Sequence, residues 1–207
     1  MSDLQCPATV LIAGHGEAEY AVAGVLSDEG GRLTETGRGQ VHDLAEQVRS
    51  HRVAAVYSSR MQRAVESAKL AALALGLQPL VADGLQEFSV GDLAGLGFHD
   101  ERAQRVFDAW LLGDLRAGCP GGEEGHGVVR RFTEAIGGIA DRHRGETVLV
   151  FTHSGAMSLA IPRVSVNAGS DFSARRFLAS CAVAEVQVDS DGWRLMSWPG
   201  TTDPALV

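Results

Sequence analysis

Two short apolar runs in this chain each end on a histidine set among small residues. Thr9-Val10-Leu11-Ile12-Ala13 leads into Gly14-His15-Gly16-Glu17, and Thr147-Val148-Leu149-Val150-Phe151-Thr152 leads into His153-Ser154-Gly155. Continuous β-branched runs of this kind suit strands buried on both faces, as in a parallel sheet covered by helices on either side. In open α/β sheets, ligands bind beyond the carboxyl ends of the strands. Two strands that each deliver a histidine to that edge predict one site with two imidazoles, and so an enzyme.

The rest of the chain supports that architecture. Thr34 is a predicted N-cap for an amphipathic helix with Val41, Leu44, Ala45 and Val48 on one face. Val53-Ala54-Ala55-Val56-Tyr57 reads as a strand. Ser58-Ser59 reads as the cap of a helix over 60–75 that Gly76 closes. Pro79 to Ala82 is a third strand candidate, and Val128 to His143 returns to helical spacing. A helix follows from Gly155, and Arg175-Arg176 opens or closes a further short element. Val183–Val188 and Trp193–Trp198, parted by Ser190-Asp191-Gly192, predict an edge hairpin open to pairing between chains as a homodimer. The fold expected is a three-layer α/β/α sandwich on a mostly parallel sheet. Its 207 residues, 45% hydrophobic, suit a single domain. Residues 84–127 are glycine-rich and weakly periodic, with a helix around Gln104–Leu112. They are expected to cover the site.

Charge and cysteine usage narrow the function. A net charge of -8 argues against a general nucleic-acid or anionic-membrane binder, while leaving room for a small anionic substrate in a local basic pocket. Cys6, Cys119 and Cys181 lack any metal-type spacing and read as reduced thiols. No secretory signal and no bilayer-length apolar run are evident, so a cytoplasmic location is expected. His99 and His126 match no metal motif, and neither metal nor cofactor is expected.

A third segment carries chemistry. Ser58-Ser59-Arg60-Met61-Gln62-Arg63-Ala64 follows the second strand and opens a helix, where backbone N–H groups and the helix dipole already favour anions. A forked guanidinium there suits phosphate oxygens. His15, His153 and Arg63 together form a set able to transfer a phosphoryl group without a metal.

Six segments occur in an order that resembles the histidine phosphatase superfamily, the phosphoglycerate-mutase-like proteins. They are Gly14-His15-Gly16-Glu17, Leu33-Thr34-Glu35-Thr36-Gly37-Arg38, Ser58-Ser59 through Arg63-Ala64, Leu85-Gln86-Glu87 with Gly91, Pro120-Gly121-Gly122-Glu123, and Thr152-His153-Ser154-Gly155. The resemblance spans about Thr9 to Ile161. It implies that His15 is the residue phosphorylated, that His153 and Arg63 hold and polarise the phosphoryl group, and that Glu87 donates the proton to the leaving group. Gly16 and Ser154 would line the phosphate site.

The resemblance also has departures. The family's Arg-His-Gly is Gly14-His15-Gly16 here, so a phosphate-clamping arginine is absent. Its Thr after the acidic residue is Ala18, its Trp-Glu-Gly is Leu93-Ala94-Gly95, and its His-Gly-Gly is His153-Ser154-Gly155. Arg32, Arg60, Arg175 and Arg176 are the candidates to compensate. The expectation is a metal-independent phosphomonoesterase on a small phosphorylated substrate. The alternatives are a phospho-ligand binder impaired in turnover and a mutase-type phosphoryl transfer. Glu17 either bonds a helix start or lines the pocket, and Glu123 caps or orients the helix after it.

Overall fold

Parallel strands cannot be joined by tight turns, and here helices make the crossovers. The computed structural model describes residues 6–169 and 178–200. In chain order its elements are β1 (Ala8–Gly14), β2 (Ala18–Glu19), β3 (Arg32–Leu33), α1 (Glu35–Val48), β4 (Ala55–Ser58), α2 (Gln62–Leu75) and β5 (Pro79–Val81). They continue as α3 (Glu101–Leu111), α4 (Gly125–Arg142), β6 (Thr147–Thr152), α5 (Ser154–Val164), β7 (Val183–Asp189) and β8 (Gly192–Ser197). The main sheet has the order β5-β4-β6-β1-β7-β8. β1, β6, β4 and β5 pair in parallel, while β7 and β8 add an antiparallel hairpin beside β1.

Alternate residues of the central strands feed two helix layers. Leu11 and Ala13 of β1, with Leu149 and Phe151 of β6, pack with α1 and α2. Val10, Ile12, Val148 and Val150 pack with α4 and α5. That two-sided burial explains the unbroken apolar runs. The buried stripe of α2 is Ala64, Ala68, Ala71 and Ala72, small enough for the helix to lie close to its neighbours. The fold is the predicted three-layer sandwich.

Local boundaries follow their capping chemistry. Thr34 caps α1 as expected, accepting the Gly37 N–H at 3.0 Å. Gly76 closes α2 at φ 73°. α2 starts at Gln62 rather than at Arg60, because Met61 holds the N-cap position without a side-chain bond. α3 starts earlier than expected, with Asp100 accepting the Arg102 N–H, and α4 begins at Gly125. In the hairpin β8 is the edge strand, whereas β7 is internal. Arg175-Arg176 lies outside the described residues. No helix among the described residues is long and apolar enough to cross a membrane.

Phe132 on α4 is fully buried against the sheet. Phe132→Ala is expected to lower the unfolding free energy by about 3–5 kcal/mol, read as a lower urea midpoint at unchanged slope.

Candidate active site

β1, β6 and β4 lie side by side and end level, because their backbones are paired to the last residue. Gly14 is opposite Thr152, and Ser58 is opposite Phe151. Past the strand ends the pairing continues: the His15 N–H donates to Thr152 O (3.1 Å) and the Ser59 N–H to Phe151 O (3.0 Å). The His15 carbonyl accepts from the Cys181 N–H at 3.2 Å. This brings the two histidines together, with ring centroids 5.2 Å apart and the rings edge to face.

The protonation of His15 follows from its partners. Nδ1 lies 2.7 Å from Gly16 O, an acceptor only, so Nδ1 carries the hydrogen. Nε2 therefore presents a lone pair, which accepts the Arg63 Nε–H at 2.9 Å. Burial first and the Arg63 charge second push the imidazole down to about 4. Arg63 sits in the first turn of α2, almost wholly buried, with its guanidinium 5.4 Å from the Tyr20 ring centroid. The Gly16 N–H donates to Ser67 Oγ (3.1 Å), whose hydroxyl donates to Arg63 O (2.8 Å). Gly16 must stay small: a Cβ there would stand 2.5 Å from Gly37 O.

His153 is fully buried, held well below the usual imidazole value by burial, then by the charge of Arg63. Its Nε2 is 2.8 Å from Ser59 Oγ. Ser59 accepts the Met61 N–H at 3.3 Å, and among the described residues His153 is the acceptor in reach of its hydroxyl proton. Nε2 is thus the acceptor and Nδ1 carries the hydrogen. Nδ1 is buried with no partner among the described residues, an orphan donor beside His15. Ser59, expected to cap α2, instead orients this ring.

Glu87 closes a second side. Burial raises its carboxyl above the ordinary carboxylate range, even though the Phe88 and Gly155 N–H groups donate to it at 3.1 and 3.0 Å. Gly155 makes that approach possible, since a Cβ there would come within 2.8 Å of the carboxylate. The loop bearing Glu87 is clamped by Arg131 of α4. One of its nitrogens donates to Gly84 O and Gln86 O (both 2.7 Å) and another to Glu87 O (3.2 Å). Glu123 orients that clamp, accepting from Arg131 at 2.7 and 2.9 Å and from the Ser89 N–H. Asp28 fastens the same loop through the Val90 N–H at 2.7 Å. No sequence signal marked Arg131 or Asp28, because both act across long separations.

Other candidates fall elsewhere. Glu17 accepts from Thr34 Oγ1 (2.6 Å) at the start of α1 and is exposed. Arg60 is exposed and ion-paired to Asp83, and Arg32 is exposed on β3. His99 and His126 are exposed and outside the cleft. Among the described residues no group of three His, Cys, Asp or Glu side chains is placed to hold a metal. A Cβ on Gly14 would lie 3.3 Å from Ser154 Oγ, so the serine hydroxyl stands beside the position that the resemblance gives to arginine. His15, Arg63, Glu87 and Ser154 all line one cleft of about 740 Å³.

The chain and its fold match a known family. Residues 10–201 fit the model of the histidine phosphatase superfamily (branch 1), and the chain belongs to that superfamily. It is 29% identical over 200 residues to phosphoglycerate mutase-like protein 4 of Arabidopsis thaliana, covering 92% of this chain and 84% of that protein. It is 28% identical over 195 residues to a metal-independent phosphoserine phosphatase of the same plant, covering 91% of this chain and 80% of that one. At 35% identity it spans only 51% of the bifunctional protein Rv2228c of Mycobacterium tuberculosis, matching 88% of this chain. The solved structure of Bacillus stearothermophilus YhfR superposes with a TM-score of 0.78 at 26% identity, covering 94% of this chain and 98% of that one.

Nitrogen-15 NMR is expected to find His153 as the Nδ1–H tautomer at neutral pH. Ser59→Ala should shift it toward the Nε2–H form, and Ser59→Thr should preserve it. An unchanged spectrum in Ser59→Ala would mean that another group sets the tautomer.

Proposed function

We propose that this protein is a metal-independent phosphomonoesterase working through a phosphohistidine on His15. The observation that carries the reading is the state of His15: neutral, with Nδ1–H anchored on Gly16 O and the Nε2 lone pair facing a guanidinium. The arrangement makes Nε2 a nucleophile beside a ready anion site. The relatives' phosphatase and mutase names support the same class of chemistry.

In the first step Arg63 hands its hydrogen bond from His15 Nε2 to a phosphoryl oxygen, and Nε2 attacks phosphorus. The P–O bond to the alcohol breaks as Glu87 gives its proton to the departing oxygen. The Ser154 hydroxyl, which lines the cleft, donates to another phosphoryl oxygen, and a small shift of the buried His153 ring brings its orphan Nδ1–H to a third. The Gly16 carbonyl takes the strengthened Nδ1–H bond of the phosphorylated, positively charged ring. In the second step Glu87, now a carboxylate, takes a proton from water. The water oxygen bonds to phosphorus, the N–P bond breaks, and inorganic phosphate leaves with His15 neutral again. Three free cysteines support a reducing compartment, so we place the enzyme in the cytoplasm, and the cleft suits a small phosphorylated compound.

Gly14 favours a second reading, a phospho-ligand binder with little turnover. Rapid-quench mixing with a phosphate ester separates the two. The expected result is acid-labile phosphate on His15, absent in His15→Ala. Bound ester without phosphoprotein or free phosphate would establish the binder.

The pH dependence has a definite sign. Activity needs His15 unprotonated, so kcat/KM rises as pH passes about 4. It also needs Glu87 protonated, so kcat/KM falls as pH passes that group's raised value. Glu87→Gln is expected to remove the alkaline limb and to slow alkyl esters about 10²–10⁴-fold, with a smaller effect on 4-nitrophenyl phosphate, whose leaving group needs no proton. Arg131→Lys, which keeps the charge and loses the fork, should show the same selective loss on alkyl esters in smaller measure. Equal losses on both esters would assign Arg131 a purely structural role.

A further inference from the structure

Among the described residues the cleft carries ionisable acid and base groups only at its phosphoryl end, where His15, Arg63 and Glu87 stand. Beyond that end its walls are mostly apolar, Leu26, Phe88 and Phe98 among them, and the polar side chains between are the hydroxyls of Tyr20, Ser27 and Ser180. Arg63 is the one guanidinium or ammonium lining it among the described residues. Glu87 is held toward its neutral form, so a single cation faces a dianionic phosphoryl group. A second anionic group on the substrate would therefore enter a mostly apolar chamber where the described side chains offer hydroxyls and no second cation, so its desolvation cost would be only partly offset.

The apolar end is built. Phe88 is packed edge-on against Phe107 and Trp110, with centroids 5.6 and 5.0 Å away, and Trp110 Nε1 donates to Ala117 O at 2.8 Å. The two rims are stitched together: Leu26 N–H donates to Leu96 O (2.8 Å), Gly95 N–H donates to Leu26 O (2.9 Å), and Val25 bridges Gly97. Phe98 sits on this rim with half its surface exposed, a large apolar ring that packing of the protein itself leaves open.

Building on the phosphatase reading above, we infer that the substrate is a monophosphate ester of an uncharged, largely apolar alcohol. The phosphoryl group meets His15, Arg63 and Ser154, and the hydrocarbon part lies along Phe88 and Phe98.

The test compares kcat/KM of the intact protein for 2-phenylethyl phosphate, 3-phosphoglycerate and phosphoserine. All three release alkyl alcohols, so chemistry at phosphorus is matched and the pocket decides. A preference of about tenfold or more for 2-phenylethyl phosphate is expected, as contact with one aromatic side chain supplies. Phe98→Ser should erase most of that preference, chiefly through KM, and Phe98→Leu should retain it. A reversed or absent preference, or one that Phe98→Ser leaves unmoved, overturns the inference while the phosphatase reading stands. If no ester is turned over, the phosphatase reading fails by itself. Calorimetry with the same three esters then decides: tighter binding of 2-phenylethyl phosphate supports an apolar ligand, and equal or weaker binding overturns it.

Discussion

Everything at this site hangs on the parallel register of β1, β6 and β4. Successive strand residues face opposite sides of a sheet, so a slip of one residue would turn each strand-end side chain away from its neighbours. The His15 N–H to Thr152 O and Ser59 N–H to Phe151 O bonds carry that register beyond the regular strands. They deliver His15, His153 and Ser59 to one edge. The register is in turn held by two apolar layers, and this is why the strands are hydrophobic on both faces.

Burial does two opposite jobs in the cleft. It disfavours charge on any group, so it lowers the two imidazoles and raises the carboxyl of Glu87. Arg63 reinforces the first effect and opposes the second, yet burial leads in all three. One site thus favours an unprotonated base and a protonated acid at the same pH, the pair of states that nucleophilic attack and leaving-group protonation require. Gly16 and Gly155 allow the close packing that buries these groups, because backbone and carboxylate approach where side chains would stand.

A second set of residues acts only through others. Ser67 links the His15 loop to the first turn of α2, Ser59 orients His153, and Arg131 with Glu123 and Asp28 fastens the Glu87 loop. In the sequence Ser59 fits the pattern of a helix cap, since a serine after a strand and before a helix satisfies it equally well. Its hydroxyl went to a buried imidazole instead, and α2 began two residues later without a side-chain cap. Asp28 and Arg131 bond residues of the Glu87 loop 44 to 63 positions away, where no local periodicity can reach. The Arg60 and Arg32 alternatives likewise could not be sorted from sequence, and here both face solvent.

The sequence by itself determined the layers, the strand ends that bear His15 and His153, the cap at Thr34 and the guanidinium of Arg63 at a helix start. Each of these depends on local pattern: unbroken apolar runs, 3.6-residue spacing, a hydroxyl before a helix. The tertiary structure alone decided the tautomers of the two histidines, the neutral tendency of Glu87, the clamp on its loop and the apolar lining of the cleft. Those properties arise where residues far apart in the chain exclude water together, and the free energy of a buried charge or an orphan N–H is set by all of its neighbours at once.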